Sequence, residues 1–129
     1  MNTLRGTIKN TKNIEGITQV FVEIGDKIFS SLILGEEEDY KNEEEVNLVF
    51  KETEVMIASK ESVVSARNSF VSPITSIDMG EILAEVRFDF DGIPITSIVT
   101  RGALYDLKCN VGDEFRWFIK SNEVSLVKV

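Results

Sequence analysis

The chain repeats itself, and a repeat constrains the architecture before any single residue does. Gln19-Val20-Phe21-Val22-Glu23-Ile24 and Glu85-Val86-Arg87-Phe88-Asp89-Phe90 share one alternation of polar and apolar residues, 66 positions apart. At the same offset Ser31-Leu32-Ile33-Leu34 matches Ser97-Ile98-Val99-Thr100, and Asn2 matches Asn68. Val49-Phe50-Lys51 then matches Phe118-Ile119-Lys120, and Glu54-Val55 matches Glu123-Val124, both now 69 positions apart. One insertion of about three residues between strands accounts for the change of offset, and the blocks keep one order throughout. The expected organisation is a first repeat over residues 1–60 and a second over 65–129, divided by the polar segment near 59–64.

Alternation with period two predicts strands with one buried face. The first repeat has them near 3–9, 17–24, 27–34, 46–51 and 54–58, the second near 68–77, 82–90, 93–100, 114–120 and 123–128. Gly25-Asp26 and Asp91-Gly92 lie between two such runs in each half, where glycine supplies the positive φ of a hairpin turn. A short helix fits between the third and fourth strands: Gly102–Leu107 in the second repeat, the acidic run Glu36–Tyr40 in the first. The expected fold class is all-β with one short helix per repeat, as two tandem OB-like five-stranded β-barrels. Each barrel of about 60 residues is marginal alone, so oligomerisation is expected.

Charge and composition exclude several functions. With 14 basic and 22 acidic residues the net charge is −8, against a phosphate-backbone binder with its basic stripe. No histidine is present, so the commonest general base and metal ligand is missing. No paired acid and base or activated nucleophile is visible, and no enzyme, cofactor or protein-ligated metal is expected. The acidic runs lack the spacing of a calcium loop. The single cysteine, Cys109, permits no internal disulfide and suits a reducing compartment. No stretch approaches the roughly 18 apolar residues of a membrane span, and the N-terminus lacks a signal-peptide core. The expectation is a cytoplasmic protein with no membrane and no direct nucleic-acid contact. Trp117 and the phenylalanines read as core, since no basic residues interleave with them as in a base-stacking surface.

Ser65-Ala66-Arg67-Asn68 at the head of the second repeat resembles the opening signature of the molybdate-binding Mop (molbindin, TOBE-like) domains. Val99-Thr100-Arg101-Gly102-Ala103 is similar to that family's segment entering the short helix. Ile119-Lys120-Ser121-Asn122-Glu123-Val124 resembles its closing segment, as does Phe50-Lys51-Glu52-Thr53-Glu54-Val55 in the first repeat. The resemblance spans nearly the whole chain. It implies non-catalytic binding of a molybdate or tungstate oxyanion for storage, homeostasis or sensing. It further implies sites at the subunit interfaces of a homo-oligomer, dimer or trimer.

A tetrahedral dianion offers only acceptors, so its site must consist of donors: hydroxyls, amides, lysine and arginine. Five or six charge-assisted hydrogen bonds at roughly 1.5–3 kcal/mol each give on the order of 7–18 kcal/mol gross, against about 4–15 for immobilisation. The site the resemblance implies is Ser65, Ala66, Arg67, Asn68, Thr100, Ala103, Lys120 and Ser121, with Lys51 a possible helper. Ala103 stands where the family often has serine, and Asn122 where it often has threonine. The first repeat departs further: no Ser-Ala-Arg precedes Asn2, Leu34 replaces the threonine, Glu37 the serine, and Glu52 follows Lys51. A carboxylate beside a dianion repels it. Residues 1–64 hold 7 basic and 13 acidic side chains, net −6, and residues 65–129 hold 7 and 9, net −2. The second repeat is therefore expected to supply most of a working site. The plainer readings are a helix cap for Thr100, a solvated Lys120 and a surface Arg67. On those readings the chain is a duplicated oligomerisation module that has lost its anion.

Overall fold

The alternating runs become ten strands in a computed structural model that describes residues 1–34 and 40–129. In the first repeat these are β1 (Asn2–Ile14), β2 (Ile17–Ile24), β3 (Lys27–Leu34), β4 (Glu45–Phe50) and β5 (Met56–Ala58). In the second they are β6 (Asn68–Met79), β7 (Leu83–Phe90), β8 (Ile93–Thr100), β9 (Glu114–Ile119) and β10 (Ser125–Lys128), with one helix, α1 (Arg101–Leu107), between β8 and β9. The helix expected at Glu36–Tyr40 falls almost wholly outside the described residues, as does the Glu37 position; Tyr40 itself is irregular.

The strands form two antiparallel five-stranded sheets, ordered β10-β4-β1-β2-β3 and β5-β9-β6-β7-β8. Each sheet takes its last strand from the other repeat. The two compact units accordingly comprise Met1, Thr3–Phe50 and Lys120–Val129 in one, and Asn2 with Lys51–Ile119 in the other. The spatial division thus differs from the division of the sequence by one strand in each direction.

The duplication extends to the irregularities. The β1–β2 pairing steps from Ile8↔Val22 to Asn10↔Phe21, leaving Lys9 as a bulge. The β6–β7 pairing steps from Ile74↔Phe88 to Ser76↔Arg87, leaving Thr75 as one, 66 positions later. The backbone of Ile8 bonds to Glu43 and Glu44, and that of Ile74 to Gly112 and Asp113. Glu43 has φ of 71° where its counterpart Gly112 has 94°, so the same turn is built once without glycine.

The closed barrels expected from the sequence are open sheets. Each fifth strand is short, three residues in β5 and four in β10, and pairs only with β9 or β4. The residues just ahead of them form 3₁₀ turns at Glu52–Glu54 and Ser121–Glu123, which take in Glu54 and Glu123, expected as the first residues of strands. Where a ladder would close the barrel, one buried hydroxyl stands instead. Ser97 of β8 donates to the Val55 carbonyl, and Ser31 of β3 to that of Val124.

Other strands run longer than their alternation. β1 continues to Ile14 through a polar stretch because β2 pairs with it as far as Ile14↔Ile17, across a Glu15-Gly16 turn with both φ angles positive. The first unit buries Leu4, Ile8, Val20, Val22, Phe29, Leu48, Phe50 and Val124. The second buries Ile74, Val86, Phe88, Phe90, Ile95, Leu104, Trp117 and Ile119. Trp117 packs against Phe70 and Phe90, with centroids 5.3 Å from each, and its indole N–H donates to Ser72 at 3.0 Å.

Candidate functional site

The segment Ser65–Asn68 enters the second sheet at one end of β6. Ser65 and Arg67 are exposed, Ala66 is half-buried, and Asn68 is fully buried in register with Ile119 of β9. Lys120 is the next residue after Ile119.

Lys120 is exposed and extended (φ −69°, ψ 147°), and it opens the 3₁₀ turn Ser121–Glu123. Lys51 has nearly the same backbone (φ −77°, ψ 142°) and opens the turn Glu52–Glu54. Within the first unit, the Ser121 hydroxyl donates to Ser30 Oγ at 3.0 Å, and Ser30 also accepts from Gln19. With its proton engaged, Ser121 is left to offer an anion its backbone N–H.

Thr100 and Ala103 lie elsewhere. Thr100 ends β8 opposite Leu83, and Ala84 pairs with Met79 at the far end of β6 from Asn68. Met79 is 11 residues from Asn68, about 35 Å along the strand at ~3.3 Å per residue. Thr100 is the N-cap of α1, its hydroxyl oxygen accepting from the Ala103 N–H at 3.2 Å. That cap satisfies one of the helix's first amides and occupies the Ala103 donor. Among the described residues the Thr100 hydroxyl donates to nothing. A four-oxygen ion cannot touch both ends of β6, so one copy of this unit does not gather the whole expected set.

Two contributors escaped the sequence reading. Arg116 on β9 donates from Nη2 to the Lys60 carbonyl at 2.8 Å and from Nη1 to Ser69 Oγ at 2.9 Å. Ser30, the acceptor for Ser121, is the other. Neither carries a signal in one sequence: each sits inside an alternating strand whose partners are fixed only by register. Cys109 is not part of a reactive site; burial first, then Asp113, push its thiol up to about 11. Among the described residues no group of three or more acidic, histidine or cysteine side chains is placed to hold a metal, and no helix is long and apolar enough to cross a membrane.

Residues 64–126 match the model of the TOBE domain. The second repeat is thus similar to a TOBE domain over almost its whole length. The matched stretch contains every expected donor except Lys51. No curated protein matches the chain in sequence. Among solved structures, the fold is similar to that of ModG, a cytoplasmic molybdate-binding protein crystallised with molybdate bound. The TM-score is 0.88 at 24% identity, over 99% of this chain and 96% of that one. The likeness covers both repeats, so the tandem arrangement, and not the TOBE domain alone, is shared.

Proposed function

We propose that the chain binds a tetrahedral oxyanion of the molybdate or tungstate type without turning it over, inside the cell, at sites completed by a second copy of itself. The observation that carries this reading is the end of β6. There Ser65, Ala66 and Arg67 lead into the buried Asn68, whose register partner Ile119 directly precedes Lys120 in the chain. Hydroxyl, amide, guanidinium and ammonium donors are what a dianion needs. Thr100, which lies toward the far end of β6 from Asn68, serves such a site only from another copy, which favours a homo-oligomer. The likeness to a protein solved with molybdate bound supports the same ligand class.

Lys51 stands as a weaker helper because Glu52 comes directly after it. Isothermal titration with molybdate, tungstate and sulfate tests the reading. Heat with the first two supports it, and its absence sinks it. Sedimentation with and without the ion tests the oligomer.

A duplicated oligomerisation module without a ligand is the second reading. It is favoured by the two donors already engaged within the fold, the Ala103 amide and the Ser121 hydroxyl. A melting temperature unmoved by saturating molybdate would support it, since a ligand binding only the folded state must raise stability.

A further inference from the structure

We propose that Arg116 is a positioning residue, holding the loop that presents Ser65, Ala66 and Arg67 to the oxyanion. The inference rests on the oxyanion function proposed for this chain. Its basis is that one guanidinium grips both ends of the loop: Nη2 holds the Lys60 carbonyl and Nη1 holds Ser69 Oγ. Between those anchors lie residues 61–68. Upstream, the Ser59–Ser62 turn is closed by a backbone bond of 3.0 Å and a hydroxyl pair at 2.8 Å. Downstream, Asn68 is locked into β6. Among the described residues, Val63–Arg67 make no hydrogen bond of their own, and Val63 is 98% exposed. The path of the loop is therefore set by its ends, and Arg116 ties the two ends to one rigid strand.

The chemistry of Arg116 supports a geometric role over a stabilising one. Its Nε is buried with no partner, and a buried unpaired donor is destabilising. An apolar side chain of similar length would fill the same space with no orphaned N–H, and such replacements are often neutral or stabilising. What an apolar side chain cannot do is reach two acceptors separated by a loop. Arginine's planar fork can, because its donors point in fixed and different directions.

The test uses the full chain, with Arg116→Met and Arg116→Lys variants, and two readouts. Trypsin cuts after Lys60 and Arg67, both at the loop, and isothermal titration with molybdate reads affinity. Arg116→Met is expected to unfold at nearly the wild-type urea midpoint and to be cut faster at Lys60 and Arg67. Its molybdate affinity should be about 10- to 100-fold lower, by analogy with the loss when a group that orients a metal's ligands is removed. Arg116→Lys, which can reach one anchor, should fall between in both readouts. If Arg116→Met does not fold, Ser69→Ala removes one anchor alone and should shift both readouts in the same direction. A wild-type chain that binds molybdate while Arg116→Met binds it equally well overturns the inference and leaves the oxyanion function standing. A wild-type chain that gives no heat overturns both.

Discussion

The hydroxyl of Ser97 donates to the backbone carbonyl of Val55 at 2.6 Å, in a fully buried setting. The counterpart in the other unit is Ser31 to Val124 at 2.7 Å. Each bond joins the outer strand of a sheet to the residue just ahead of its short fifth strand. Each therefore stands where a backbone ladder would otherwise close a barrel. Ser31 and Ser97 differ by 66 positions and Val55 and Val124 by 69, so the bond was duplicated along with the chain.

Replacing Ser97 with alanine should expose the strength of this closure. The substitution strands a buried carbonyl, which costs about 1–3 kcal/mol. Urea unfolding of Ser97→Ala should show a lowered midpoint with the slope unchanged. A midpoint equal to wild type would mean that the carbonyl finds another donor, and that the hydroxyl does not hold the sheet ends together.

The strands were legible in the sequence because alternation is a local property, and burial of one face imposes it. The exchange of the last strand was not. Met56–Ala58 and Ser125–Lys128 are each three or four residues long, and nothing within them encodes which sheet they join. The candidate site at Ser65–Asn68 and Lys120 was read from the resemblance to the Mop domains, and titration with molybdate is its test. The engagement of the Ser121 hydroxyl by Ser30 and the grip of Arg116 on Lys60 depend on residues 91 and 56 positions apart, which only the folded register brings together. Thr100 was legible as a residue of interest and as a helix cap alike. The structure shows the cap, and leaves its outward hydroxyl to the binding test.

Gly6 is expected to be intolerant of even one added methyl group. A Cβ there would lie 2.6 Å from Val22 Cγ1, 2.7 Å from the Glu23 carbonyl oxygen and 2.8 Å from Ile24 Cγ1. The carbonyl belongs to the neighbouring strand and cannot rotate away, so Gly6→Ala must spread β1 from β2. Overpacking of this kind costs on the order of 1–3 kcal/mol. The counterpart in the second repeat is Ser72, where a side chain is accommodated and accepts the Trp117 indole N–H. A thermal melt of Gly6→Ala should be several degrees below wild type, whereas Gly25→Ala, with nothing within 4 Å of its added Cβ but a φ of 60°, should lose stability through backbone strain alone.

Cys109 should be slow to alkylate at ordinary pH. Burial disfavours the thiolate, and the nearby Asp113 carboxylate disfavours it further, raising the pKa from 9.0 to about 11. The thiolate is the reactive form. At pH 8 its share falls from about one in ten for the ordinary thiol to about one in a thousand here. Iodoacetamide labelling with mass spectrometry should give a rate that keeps climbing with pH through about 11 instead of levelling above 9. A plateau near 9 would show that the thiol is better solvated than its surroundings imply.

Lys51 and Lys120 make the sharpest test of asymmetry between the repeats. Their backbones are nearly superimposable in φ and ψ, and each opens a 3₁₀ turn. They differ in the next residue along the chain, Glu52 after Lys51 and Ser121 after Lys120. A carboxylate next to a dianion site opposes the charge the lysine is there to supply. If the chain binds an oxyanion, Lys120→Met removes a charge-assisted hydrogen bond, about 1.5–3 kcal/mol, and molybdate affinity should fall by roughly 10- to 150-fold. Lys51→Met should change it far less. Glu52→Ser, which gives the first repeat the Lys-Ser pair of the second, should raise affinity or add a weak second class of sites in the titration. Equal losses from Lys51→Met and Lys120→Met would show that both repeats bind, and that the carboxylate of Glu52 is turned away from the ion.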